Sequence, residues 1–125
     1  MPPLVLIVED IEDSLILTRR LLEMADFRVL EARDGREAIA QARAHSPDLI
    51  LLDMSLPELD GLTVARTLRG MPELRSTRIV ALTGRAMPGD RERTLEAGCD
   101  EHLTKPIDVS TFVSVITKLL EGNGG

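Results

Sequence analysis

Short, nearly continuous apolar segments recur along this chain at residues 4–8, 27–32, 49–52, 79–82 and, more weakly, 101–104, and a stretch with helical patterning separates each from the next. A strand that is apolar at almost every position has to be covered on both faces, and helices that cross from one parallel strand to the next provide that cover. The alternation therefore predicts an α/β fold in which five strands form a doubly wound parallel sheet flanked by five helices. A length of 125 residues suits one domain with one core.

Local signals sharpen this outline. Val109, Phe112, Val113, Ile116, Leu119 and Leu120 fall at three- and four-residue steps and predict one buried stripe on the last helix. Asp34 followed by Glu37 reads as a capping-box-like helix start, with Ala38, Ile39 and Ala42 as its apolar face. Asp60-Gly61 opens the third helix in the same way. Gly98 follows the fourth helical segment, residues 90–97, where a residue without a Cβ can form a left-handed cap. Residues 1–121 form the expected domain, and residues 122–125, without apolar periodicity, read as a flexible tail.

Hydrophobic residues make up 43% of the chain and charged residues 29%, a balance that fits a soluble globular domain. A net charge of -6 opposes direct binding to nucleic acid or to an anionic membrane and favours a protein partner. The apolar run after Met1-Pro2-Pro3 is too short for a signal peptide or a membrane span, so a cytoplasmic location is expected. Cys99 is the single cysteine and lacks the neighbouring Cys/His spacing of a zinc site, which makes it a structural residue.

In an open doubly wound sheet, ligands bind beyond the carboxyl ends of the strands. Here the first strand runs into Glu9-Asp10, the third into Asp53, the fourth into Thr83 and the fifth into Lys105. Taken singly, the acids could cap helices, the threonine could be an ordinary strand residue and the lysine a solvated charge. Taken together, three carboxylates, a hydroxyl and an ammonium at one rim are a set that capping does not require. Crowded carboxylates repel one another unless a cation is present or one stays protonated. Magnesium suits them, since it prefers oxygen ligands and uses one or two carboxylates while keeping waters. Asp10 and Asp53 are the favoured direct ligands, Glu9 acts directly or through water, and the backbone carbonyl of Ser55 completes the set.

A carboxylate can attack an in-line phosphoryl donor when metal and lysine charges offset the charge on the transferring oxygens. Asp53 is the candidate nucleophile, with Lys105 pairing one phosphoryl oxygen and the Thr83 hydroxyl donating a hydrogen bond to the product.

Four ordered blocks carry a resemblance to bacterial response-regulator receiver domains: residues 5–10, residues 53–61, Ala81-Leu82-Thr83-Gly84, and residues 98–106 ending in Lys105-Pro106. Residues 86–90 and Lys105-Pro106-Ile107 are most similar to single-domain regulators of the cell-division and polarity type. The resemblance implies the flavodoxin-like strand order 2-1-3-4-5. It also implies a histidine kinase or histidine phosphotransfer protein as donor, a cis peptide bond before Pro106, and a downstream partner on the face made by the fourth helix, fifth strand and fifth helix. It leaves open whether the protein is a monomer or a weak dimer.

By the same resemblance Thr83 shifts on phosphorylation and the residue three before Lys105 follows it. Most receivers carry Tyr or Phe there, whereas this chain has His102, which is smaller, more polar and titratable near neutrality. His102 is accordingly a surface or partner-contact residue or a switch residue. Ile11 is a second departure, placed where many relatives are polar. Arg85, Arg91 and Arg93 form either a solvated charged face or a contact for an acidic partner, and His45 is assigned no chemistry.

Three other functions compete. A haloacid-dehalogenase-type phosphatase also sets a nucleophilic Asp at a strand end, but its second Asp would stand where this chain has Ser55. A flavin module shares the fold class, yet the chain has no Trp or Tyr to stack on the ring and no glycine-rich loop after the first strand. A receiver fold kept only as a constitutive interaction module is the third. The expected protein is a phosphoacceptor that assists only its own phosphorylation and dephosphorylation, not an enzyme acting on other substrates.

Overall fold

The computed structural model describes residues 2–56, 60–84 and 88–121. Five parallel strands, β1 (Leu4–Val8), β2 (Arg28–Ala32), β3 (Leu49–Asp53), β4 (Arg78–Thr83) and β5 (Glu101–Thr104), form one sheet in the order β2-β1-β3-β4-β5. The helices between and after them are α1 (Glu12–Met24), α2 (Gly35–His45), α3 (Gly61–Arg69), α4 (Asp90–Glu96) and α5 (Phe112–Glu121), with a short 3-10 turn at Pro72–Leu74. This is the flavodoxin-like arrangement.

The near-continuous apolar strands are explained by two separate cores. Successive strand residues alternate between faces, so Val5, Ile7, Leu49, Leu51, Val80 and Leu82 join Leu15 and Leu22 of α1 and Phe112 and Ile116 of α5. Leu6, Val8, Ile50, Leu52, Ile79 and Ala81 face the other way, against Ala38 and Ala42 of α2 and Val64, Ala65 and Leu68 of α3. The edge strands β2 and β5 are only part-buried, as expected where one side lacks a neighbour.

Helix starts follow the capping chemistry. The Asp34 carboxylate accepts from Glu37 N at 2.8 Å and the Asp60 carboxylate from Thr63 N at 3.0 Å, each satisfying an amide that has no intrahelical partner. Val109 departs from its expected place in the α5 stripe: it is 55% exposed and precedes the helix. The Asp108 carbonyl accepts from Phe112 N, and the Asp108 carboxylate accepts from Ser110 N, so Val109 sits in the turn that starts the helix rather than on its apolar face. Apolar spacing continues past the cap in sequence, but the helix axis does not. Phe27 likewise precedes β2, although it still packs on the core. The expected tail at residues 122–125 lies outside the described residues.

One arginine ties α3 to the entry of β5. Arg69 donates from Nε to Gly98 O at 2.9 Å and from Nη2 to Asp100 Oδ2 at 2.8 Å, while the same Asp100 oxygen accepts from Ile79 N at 2.8 Å. Gly98 has φ of +105° and lies so close to Arg69 that an added Cβ would sit 2.7 Å from the Arg69 Cβ and Cγ. Backbone conformation and space thus both require glycine at the turn that leads β5 towards Lys105. Gly98→Ala is expected to lower unfolding free energy by about 1–3 kcal/mol, read as a lower urea midpoint at unchanged slope; an unchanged midpoint would show that the turn relaxes without cost.

Candidate functional site at the strand ends

Parallel strands in register bring the five sequence-nominated groups to one rim of the sheet. Glu9 directly follows β1, and its backbone N–H donates to Ala32 O at 3.0 Å, which extends the β1–β2 pairing by one residue. Asp53 closes β3, and Met54 N donates to Leu82 O at 2.9 Å. Thr83 closes β4, and its carbonyl accepts from Lys105 N at 2.7 Å just after β5. The Lys105–Pro106 peptide bond is cis.

Glu9 and Asp53 are each only 2% exposed, whereas Asp10 is exposed. One oxygen from each of the three lies within 4.8 Å of the other two. The Lys105 ammonium reaches into the same space, donating to Glu9 Oε1 at 2.5 Å and to Asp53 Oδ2 at 3.2 Å. The second Asp53 oxygen accepts from Ser55 N at 2.9 Å, which fixes the rotation of the carboxylate. Gly61, at the start of α3, presses against this segment: a Cβ there would lie 2.6 Å from Met54 Cα and 3.1 Å from Asp53 O. A cavity of about 340 Å³ opens alongside, lined by Met54, Ser55, Thr83, Gly84 and Arg93 among others.

The electrostatics follow from this crowding. Burial, followed by the hydrogen bond to Asp53, raises the Glu9 carboxyl above its ordinary value, with Lys105 opposing both. For Lys105 burial favours the neutral amine, but the Glu9 hydrogen bond and the nearby Asp53 and Glu9 charges outweigh it and the ammonium is held above its usual range. Burial pushes the Cys99 thiol up to about 11, far from thiolate chemistry.

Two contacts were not legible in the sequence. Glu9 and Lys105 pair directly, although residue type alone suggested only that one faces a metal and the other a phosphoryl oxygen. His102 Nε2 lies 3.0 Å from Thr83 Oγ1, joining the two residues of the suspected switch by a hydrogen bond. Arg91 pairs with Glu101 at 3.1 Å and Arg93 pairs with Asp90. Arg85 lies outside the described residues, as do residues 57–59 and 86–87 of the motifs. Ile11 is 54% exposed at the cap of α1, and His45 is exposed at the end of α2.

Comparison with known proteins agrees with this geometry. The response regulator receiver domain family matches residues 5–117. The chain is 43% identical over 120 residues to the polar-differentiation response regulator DivK of Brucella anthropi, covering 96% of this chain and 98% of that protein. It superposes with a TM-score of 0.88 and 31% identity on the receiver domain of a sensor histidine kinase from Pseudomonas aeruginosa, a structure with a magnesium ion coordinated in its active site cleft; the match covers 97% of this chain and 99% of that one. The signal receiver domain of a signal transduction histidine kinase from Syntrophus aciditrophicus gives a TM-score of 0.87 at 36% identity, covering 96% of this chain and 91% of that one. These matches do not favour the phosphatase reading. With its sheet order, its rim of acids and these relatives, the chain belongs to the response regulator receiver domain family of two-component signalling proteins.

Proposed function

We propose that Asp53 accepts a phosphoryl group from a histidine kinase or histidine phosphotransfer protein, and that the modification switches protein–protein contacts. The observation that carries this reading is the Lys105 ammonium held between Glu9 and Asp53 at the mouth of the strand ends. The Asp53 carboxylate is held on one oxygen by Ser55 N, so the oxygen nearer Lys105 is the one positioned to attack phosphorus. As the P–O bond to Asp53 forms and the bond to the donor's imidazole breaks, Lys105 pairs a phosphoryl oxygen and Thr83 Oγ1 donates to another.

The donor set also fits magnesium. Glu9, Asp10 and Asp53 supply hard carboxylate oxygens in one cluster, and the carbonyl of Ser55 would add a fourth ligand. A bound ion would neutralise charge on the transferring oxygens, as Lys105 does from its own side. Such a protein assists only its own phosphorylation and dephosphorylation. The output surface in this reading is the α4–β5–α5 face, and the protein works in the cytoplasm as a monomer or weak dimer. Among the described residues no helix is long and apolar enough to cross a membrane. In this reading residues 1–121 are the receiver unit.

Intact mass after treatment with acetyl phosphate and magnesium tests the acceptor: a single added phosphoryl group is expected on the parent and none on Asp53→Asn, and undiminished labelling of the variant would refute the assignment. Lys105→Met tests the charge arrangement. Because the folded protein holds the Glu9 proton more tightly than the unfolded chain, that contribution to stability is full below the unfolded pKa and is lost as pH rises through the folded value. Removing the ammonium raises the folded value further, so the variant's loss, on the order of 2 kcal/mol near neutrality, should shrink as the pH falls towards the ordinary carboxylate range. A deficit independent of pH in urea titrations without divalent ions would contradict this arrangement.

A further inference from the structure

The Thr83 hydroxyl has a hydrogen-bond partner at His102 Nε2, 3.0 Å away. Thr83 has a single hydroxyl proton and two acceptor lone pairs. A phosphoryl oxygen accepts hydrogen bonds, so once a phosphoryl group occupies Asp53 the threonine proton is directed to it. The threonine oxygen can then keep its contact with His102 only by accepting. A bare imidazole nitrogen at that distance would oppose two lone pairs, whereas an N–H completes a chain of two donors.

We propose that His102 is a positioning residue for the phosphorylated site: its Nε2–H donates to Thr83 Oγ1, which turns the threonine hydroxyl towards the phosphoryl oxygen. The inference rests on the phosphoacceptor reading of Asp53 and adds to it a role for the imidazole edge. Imidazole is suited to this task because the same nitrogen can accept in one tautomer and donate in the other without any rotation of the side chain. Exchange of the proton between Nδ1 and Nε2 through solvent leaves the net charge unchanged, and His102 is only part-buried, so water can carry that exchange. The residue is held from behind by its own strand, where His102 N donates to Glu101 Oε1 at 2.9 Å. That same oxygen accepts from Arg91 Nη1 of α4 at 3.1 Å, so the pairing that fixes the imidazole's backbone runs to the helix beside it.

Binding of beryllofluoride with magnesium, a mimic of the acyl phosphate, combined with 15N NMR of the His102 ring tests this. In the loaded protein Nε2 is expected to carry the proton, and apparent beryllofluoride affinity is expected to fall about fivefold in His102→Phe and to return to within about twofold in His102→Gln. In a Thr83→Ala background His102→Phe should cost nothing further, since the two residues act through one hydrogen bond. A bare Nε2 in the loaded protein, or affinity losses that add between the two positions, would overturn the proposal while leaving Asp53 as acceptor. Failure of the parent protein to bind beryllofluoride at all would overturn both.

Discussion

The ammonium of Lys105, inserted between two buried carboxylates from other strands, is the interaction on which this molecule's chemistry depends. Glu9 and Asp53 are almost fully shielded from water, and an unpaired charge in such a place is costly. The lysine relieves that cost without filling the site, because an ammonium on a flexible stem can exchange one oxygen partner for another. In the proposed reaction, a phosphoryl group arriving at Asp53 would bring further anionic oxygens to a cation already in place.

Everything around this cluster serves to hold its members in register. Met54 N on Leu82 O and Lys105 N on Thr83 O carry the sheet's pairing past the last strand residues, so the reactive side chains project from paired backbone rather than from free loops. Gly61 lets α3 approach the Asp53–Met54 peptide closely, and Gly98, braced by Arg69, sets the turn from which β5 delivers Lys105. The glycines act by permitting backbone proximity at two points, each adjoining a strand that supplies a functional group. Fold and site are thus coupled through backbone geometry, and the two apolar cores on either face keep that geometry stiff.

Much of this could be read from residue order. Strands apolar at nearly every position announced a sheet covered on both faces, and the polar residue ending each strand marked the rim where the site had to be. Asp34 and Asp60 announced their helices because capping is local chemistry. What the pattern misplaced or withheld was tertiary. Val109 has the spacing of α5 but stands in the Asp108 turn, since periodicity carries no information about where a helix is capped. The Glu9–Lys105 pair joins residues at opposite ends of the chain, and the Thr83–His102 bond depends on a strand register and a rotamer. Neither follows from composition or spacing, and the close approach of Gly61 to Met54 has no sequence signal beyond the glycine itself.

In the proposed function one carboxylate, Asp53, carries the phosphoryl group and Lys105 attends it there. A crystal structure of the protein with magnesium and beryllofluoride tests this most directly. Density is expected for the fluoroberyllate bonded to the Asp53 oxygen nearer Lys105, with Nζ moved from Glu9 onto a fluorine. Density on Glu9 or Asp10 instead, or a Lys105 side chain turned out to solvent, would contradict it.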